Sequence, residues 1–322
     1  MTNGPEAITC GEAMLLMLAE PGMPLDHAVS FRRSVAGAES NVAQGLARLG
    51  HWARWIGRVG DDPAGEAVLR ELRADGVDVS GAEMDPRAPT GLLLRDSHPQ
   101  RAIDVQYYRE GSAASLLSPD QIRIEMLEGA RVVHISGITP MLSESAAQAT
   151  WALIERARQV GAAVSFDPNV RRKLGTDHEW IRVVGPILRE ADLVIAGEDE
   201  LELLLGGGAD ETAKALLTIG HARTVVVKRR DHSAVAVSQN GQCVQAPFSV
   251  RVVDPVGAGD AFAAGWLSAW LRGERPEQAL AEAACVAALV VQAPSDTDGL
   301  PTAYARDRAL AAFARGTDSV HR

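Results

Sequence analysis

Short runs of β-branched residues alternate with amphipathic helical stretches along most of this chain, and that alternation leaves few folds open. The strand candidates are AITC near residue 7, HWARWIGRV, RVVHIS, AAVSF, DLVIA and TVVVK. Helical patterns fall at 39–49, in PAGEAVLRELRAD, around 144–160, 178–190, 198–205 and 209–219, and near 260–272 and 276–292. Gly50 closes the first helix and Pro63 stands in the first turn of the second. The pattern predicts an α/β fold: a mostly parallel, doubly wound sheet with helices on both faces and ligands at the carboxyl ends of the strands. At 322 residues, one large domain, or one domain with a small appendage, is the natural reading.

Two regions break the alternation. Residues 13–35 contain AMLLML and HAVSFRR, and residues 89–109 contain TGLLLRD, a polar turn and IDVQYYR. Both read as strand pairs with no helix between. In the second pair Ile103, Val105, Tyr107 and Arg109 share a face by the period-two rule. These strands are expected to form a small sheet acting as a lid, with an antiparallel extension of the main sheet as the alternative. The expected core is 6–12, 36–88 and 110–316, and the expected lid 13–35 and 89–109.

Composition removes several function classes. A net charge of -10 disfavours non-specific nucleic-acid binding, which needs many Lys and Arg contacts. The basic clusters Arg32-Arg33, Arg171-Arg172-Lys173 and Lys228-Arg229-Arg230 are short enough to be solvated faces. Cys10, Cys243 and Cys285 are far apart and odd in number, which argues against a disulfide framework or a zinc site. The amino terminus carries no basic patch followed by an apolar stretch, and the longest apolar run, 283–291, is too short to span a bilayer. The expectation is a soluble, cytoplasmic protein without a membrane partner.

The sharpest motif is DPVGAGDAFAAG, residues 254–265, which runs into a helix-forming stretch. Gly257 and Gly259 allow a tight turn with several N–H groups facing one way. With the helix N-terminus they form an anion hole suited to phosphates. Asp260, in the first helical turn, is placed to act as a base toward an acceptor hydroxyl. The helix dipole is expected to favour its ionised form and make it a weak base. A bare G-x-G-D can equally be a helix start with Asp260 as cap. A dinucleotide fingerprint fits poorly, because Phe262 stands at its third small position, and no G-x-x-x-x-G-K-[ST] occurs.

The whole string resembles the C-terminal signature of the ribokinase-like (PfkB) carbohydrate kinases. AGAESNVAQGLARLG (36–50) and IGRVGDDPAG (56–65) resemble the N-terminal signature, in the expected order. The resemblance implies a ribokinase-like fold with a β-lid, an ATP-dependent sugar kinase, and Mg2+ as cofactor. A monovalent cation such as K+ is left open, and association of copies through the lid is the expected assembly. By the same resemblance Gly257, Ala258 and Gly259 form the anion hole and Asp260 is the catalytic base. Gly37 and Asn41 touch the sugar, and Lys228, Gly197 and Ala284 lie near the nucleotide. Glu200, in GEDELELL, helps organise the metal, although Gly197 replaces the Asn of that motif.

Within the family, QYYREGSAASLL (106–117), HISGITP (134–140), FDPNVRRKL (166–174) and SDTDGLP (295–301) resemble the 2-keto-3-deoxygluconate kinases. That resemblance implies substrate contacts from Tyr107, Arg109, Arg171 and Asp296. Guanidinium groups suit a substrate carboxylate, which a neutral sugar lacks. Leu93 stands where those kinases carry a ligand-contacting Tyr, so fructokinase or another neutral-sugar kinase remains the alternative. Readings from other classes are a non-catalytic sugar or nucleotide sensor, opposed by Asp260, and a dinucleotide oxidoreductase, opposed by Phe262.

Overall fold

The computed structural model describes residues 4–98 and 103–315. Its first strand, β1 (Ala7–Cys10), is buried at every position, as the centre of a two-faced sheet requires. The chain then leaves for β2 (Met14–Ala19) and β3 (Phe31–Ala36) before α1 (Ala38–Arg48), β4 (Ala53–Gly60), α2 (Pro63–Ala74) and β5 (Asp78–Asp85). A second excursion makes β6 (Leu92–Arg95) and β7 (Val105–Tyr108). Regular alternation resumes with β8 (Val132–Ser136), α3 (Glu144–Gln159), β9 (Ala163–Asp167), α4 (Asp177–Glu190), β10 (Leu193–Gly197), α5 (Glu198–Leu205), α6 (Ala209–Ile219) and β11 (Thr224–Lys228). A hairpin, β12 (Ala234–Ser238) and β13 (Gly241–Gln245), precedes α7 (Ala258–Leu271), α8 (Pro276–Val290) and α9 (Ala303–Arg315).

The large sheet has 9 strands in the order β13-β12-β11-β10-β9-β8-β1-β4-β5. Its pairs from β5 to β11 are parallel, and β12 and β13 add an antiparallel edge. Alternate strand residues feed two cores. Ile8, Val133, Ile135, Val194 and Val225 pack with α3 through α6. Ala7, Val132, Leu193, Ile195 and Val226 pack with α1, α7 and α8. The period of two thus appears as two buried faces rather than one wet and one dry. α7 is buried nearly all round, from Ala261 to Leu271, which fixes its N-terminus firmly against the sheet.

The second sheet has 4 strands in the order β3-β2-β6-β7. Its outer pairs are antiparallel and its central pair, β2 with β6, is parallel. Met14, Leu16, Leu18, Ala36 and Leu93 form its own small core. Residues 99–102, in the polar turn between β6 and β7, lie outside the described residues, as do 1–3 and 316–322. Among the described residues no helix is long and apolar enough to cross a membrane.

Candidate active site

The turn before α7 is built around one glycine. Gly257 is the N-cap of α7, at φ +86°, and a Cβ there would lie 2.3 Å from the carbonyl oxygen of Asp296. Only glycine fits both the left-handed backbone and the close approach. Gly259 is different: its φ is ordinary, and a Cβ would meet only Lys228 Nζ, at 3.7 Å. The turn's strain is therefore confined to Gly257, while Gly259 keeps the approach to the backbone open. Asp254 Oδ1 accepts the Val256 N–H at 3.0 Å and holds the turn in shape. Among the described residues no side chain caps α7; the Ala258 N–H turns back to the Pro255 carbonyl at 3.4 Å, which leaves the Gly259 and Asp260 N–H groups as donors.

Lys228, at the end of β11, brings an ammonium to this hole. It donates to Asp167 Oδ2 at 2.7 Å. Burial opposes its charge, but the Asp167 and Glu200 carboxylates outweigh that and raise its pKa above the ordinary lysine value.

Asp260 sits beside the hole on the first turn of α7. Its Oδ2 accepts from Asn41 Nδ2 at 2.8 Å, and its Oδ1 from Asn169 Nδ2 at 3.4 Å. Burial pushes its carboxyl up to about 7, against the pull of Asn41 and Arg171 and with the help of Asp167 and Asp296. This corrects the expectation of a dipole-weakened base: desolvation and neighbouring acids outweigh the helix terminus. A carboxyl poised near neutrality is a better proton acceptor than an ordinary aspartate.

The remaining expected residues divide between those that face the cavity and those already engaged. Gly37, Asn41, Tyr107, Arg109, Arg171, Lys228, Gly257, Gly259, Asp260 and Asp296 line one inner cavity, with Leu93. It opens into a wider cleft bordered by Tyr107, Arg109, Arg171, Lys173 and residues 255–259, Ala258 included. Gly37 must approach the backbone closely, because a Cβ would lie 2.2 Å from the Glu12 carbonyl oxygen. Arg171 is exposed, bonds only its neighbour's carbonyl, at 3.1 Å, and makes no salt bridge among the described residues. Arg109 is ion-paired with Glu12, and Asp296 Oδ1 accepts from Arg95 at 2.6 Å. Each therefore offers a ligand only what its protein partner leaves free. Arg109 also lies 5.5 Å over the Tyr107 ring, and Leu93 pairs across the strands with Tyr107.

Glu200 does not present a free carboxylate. Its two oxygens accept the Gly197 and Val170 N–H groups at 2.7 and 2.8 Å. Burial and then Asp167 raise its pKa. Gly197, the N-cap of α5, is in register with Lys228 on the neighbouring strand. Gly197, Glu200 and Ala284 line neither cavity, and Ala284 is half-buried on α8. Among the described residues no group of three acidic, His or Cys side chains is arranged to hold a metal.

Several site groups escaped the sequence reading. Asn169, at φ +46°, and Asp167 stand at the end of β9, within FDPN. Glu39 is buried in the first turn of α1, accepts from Thr139 Oγ1, and is pushed up to about 8 by its desolvation. They lie within FDPNVRRKL and AGAESNVAQGLARLG. Which side chains faced inward depended on turns that periodicity does not describe.

Comparison with known proteins bears on this arrangement. The model of the pfkB family carbohydrate kinases matches residues 8–303. The chain is 37% identical over 319 residues to a 2-dehydro-3-deoxygluconokinase of Bacillus subtilis (strain 168), covering 98% of this chain and 97% of that protein. The structure of a 2-dehydro-3-deoxygluconokinase from Thermotoga maritima superposes with a TM-score of 0.89 at 26% identity, over 95% of this chain and 99% of that one. An E. coli protein solved in complex with ATP and Mg2+ superposes with a TM-score of 0.88 at 25% identity, over 97% and 100%. A glycine turn at a helix N-terminus, a flanking acid and a small second sheet thus stand on a scaffold matched across nearly its whole length, and the chain belongs to the pfkB family of carbohydrate kinases.

Proposed function

We propose that this protein transfers the γ-phosphoryl group of ATP to the terminal hydroxyl of 2-keto-3-deoxygluconate, giving the 6-phosphate. The observation that carries the substrate choice is Arg171, a guanidinium on the cavity wall that makes no salt bridge among the described residues. It shares that wall with Asp260. A sugar held by its carboxylate at Arg171 extends its far end toward Asp260, which suits a terminal hydroxyl. The similarity to the Bacillus subtilis and Thermotoga maritima kinases supports the same choice.

In the proposed reaction the hydroxyl oxygen forms a bond to the γ-phosphorus while its proton passes to Asp260. The bond from that phosphorus to the bridging oxygen breaks, and ADP leaves with the electron pair. The α7 N-terminus and Lys228 take up negative charge on the transferred group. Asn41 and Asn169 keep the Asp260 carboxylate aimed. The buried Asn41 Oδ1 has no partner among the described residues and can accept from a sugar hydroxyl. Mg2+ bound with the nucleotide would neutralise phosphate charge and would need few protein ligands of its own. Asp167, which lines the cavity, would hold one of its waters.

Two observations favour a second reading, a neutral sugar: Leu93 makes this part of the lid apolar, and Arg109 is already neutralised by Glu12. The test is ADP release with 2-keto-3-deoxygluconate, fructose and ribose, with NMR of the product. The expected result is clear preference for the acid and phosphorylation at its terminal carbon. Comparable or better turnover of fructose would replace this proposal with the neutral-sugar one.

A further inference from the structure

Arg95 ends β6 in the small sheet, yet it is only 2% exposed. Its guanidinium enters the seam between the two loops that shape the anion hole. Nη1 donates to Asp254 Oδ2 at 2.7 Å and to the Asp96 carbonyl at 3.0 Å. Nη2 donates to Asp296 Oδ1 at 2.6 Å. Both acids are buried, and each is part of a loop rather than a free partner. Asp254 ties the Val256 N–H with one oxygen and, at 3.3 Å, the Ser295 N–H with the other. The Asp296 backbone is the surface against which Gly257 packs.

β3 adds two further ties to the same loop. Arg32 pairs with Asp298 at 2.6 Å and donates to the Pro294 carbonyl at 3.3 Å, and the Ser34 and Ser295 hydroxyls lie 3.2 Å apart. Of the two arginines in this set Arg95 is the buried one, and it lines neither cavity. Without its guanidinium, two carboxylates would face each other away from water, which favours either a proton on one of them or a wider spacing of the loops that carry them.

We propose that Arg95 is a positioning residue for the phosphate-binding turn: it sets the spacing of loops 254–257 and 294–298 and fixes that spacing to the lid. The planar fork is what the task requires, because it bonds two carboxylates on different loops at once, whereas a lysine ammonium is a single point of charge. The inference rests on the reading that nucleotide phosphates bind at Gly257–Gly259.

The test compares wild type with Arg95→Lys, Arg95→Met and the double variant Arg95→Met/Asp254→Asn. MgADP affinity is measured by calorimetry, kcat and both KM values by steady-state kinetics, and stability by thermal unfolding. The double variant removes one of the facing charges and covers the case in which Arg95→Met does not fold. MgADP affinity should fall roughly tenfold, the equivalent of one lost hydrogen bond to phosphate. kcat should fall about 10²-fold, as for a small misplacement of the reacting groups. Both losses should persist in the double variant where its melting temperature is restored, and Arg95→Lys should recover them only in part. A folded Arg95→Met or double variant with wild-type MgADP affinity and kcat would make Arg95 a stability element and overturn the proposal. Failure of wild type itself to bind MgADP would instead overturn the phosphate reading, and this inference with it.

Discussion

Replacing Asp260 by Asn should damage turnover and strengthen the fold, and the second effect should depend on pH. Burial holds the Asp260 carboxyl at about 7, well above its ordinary value of 3.8. A carboxyl raised in this way binds its proton more tightly folded than unfolded. Its favourable contribution is complete below the ordinary carboxylate range and is lost as pH rises toward 7. Above that, the native state carries an unfavourable buried charge. The displacement from 3.8 to about 7 corresponds to about 4 kcal/mol. Solvent reaching the cavity screens part of it, leaving about 2–4 kcal/mol. Asn keeps the shape of the side chain, and its carbonyl can accept the Asn41 hydrogen bond that now spans 2.8 Å. Urea unfolding of both proteins at about pH 4 and about pH 8.5 measures the difference. The variant should match wild type at the lower pH and exceed it at the higher, while kcat falls by roughly 10²–10⁴. A stability difference independent of pH would refute the claim that burial dominates this carboxyl, and near-normal turnover would remove Asp260 from the mechanism.

Arg171 pulls the Asp260 pKa down. kcat/KM of wild type should therefore rise with pH through about 7, and Arg171→Ala should move that rise to higher pH; an unmoved profile would separate the two groups. The same variant should weaken the acid substrate by about 1.5–3 kcal/mol and a neutral sugar of similar size far less, as read from kcat/KM for each. Gly257→Ala places a methyl 2.3 Å from the Asp296 carbonyl oxygen in a left-handed conformation, so it should cost about 2–4 kcal/mol in chemical unfolding and lower MgADP affinity. Gly259→Ala, with only Lys228 Nζ nearby, should leave stability within about 1 kcal/mol of wild type, and equal losses at the two glycines would contradict the geometry.

The layered sheet was legible because β1, β8, β9, β10 and β11 carry β-branched runs that two buried faces demand, and their helices repeat at the helical period. β5 and β13 were not legible: DVSGAEMD and GQCVQ are half exposed and polar, and they pair because of where the chain places them. α9 was missed as well; of its residues only Arg306 is buried. The glycine turn before α7 could be read from local chemistry, since the need for Gly257 is written into its own backbone. The condition of Asp260 could not. It is set first by burial and then by Asn41, Arg171, Asp167 and Asp296, all distant in sequence, and the expectation drawn from the helix dipole alone had the wrong sign. The bonds of Arg95 to Asp254 and Asp296 span 159 and 201 residues. No local pattern in β6 distinguishes that arginine from a solvated one.

The small sheet consists of two hairpins, β2 with β3 and β6 with β7, each contiguous in the chain and joined to the other by one parallel seam. Each hairpin can close on itself early, through contacts between near neighbours. The seam pairs Leu15 with Leu92 and Leu18 with Arg95, and it cannot form before β6 is in place, with β3, α1, β4, α2 and β5 lying between the two strands in the chain. Until then β2 presents an unpaired edge rich in Leu and Met, open to the same edge of another chain. Arg95 enters at that seam and can reach Asp254 and Asp296 only after the last third of the chain has docked. The cover over the cavity and the turn beneath it are thus completed late and together, and a nascent chain stalled before that point would be prone to edge-to-edge association rather than to premature nucleotide binding.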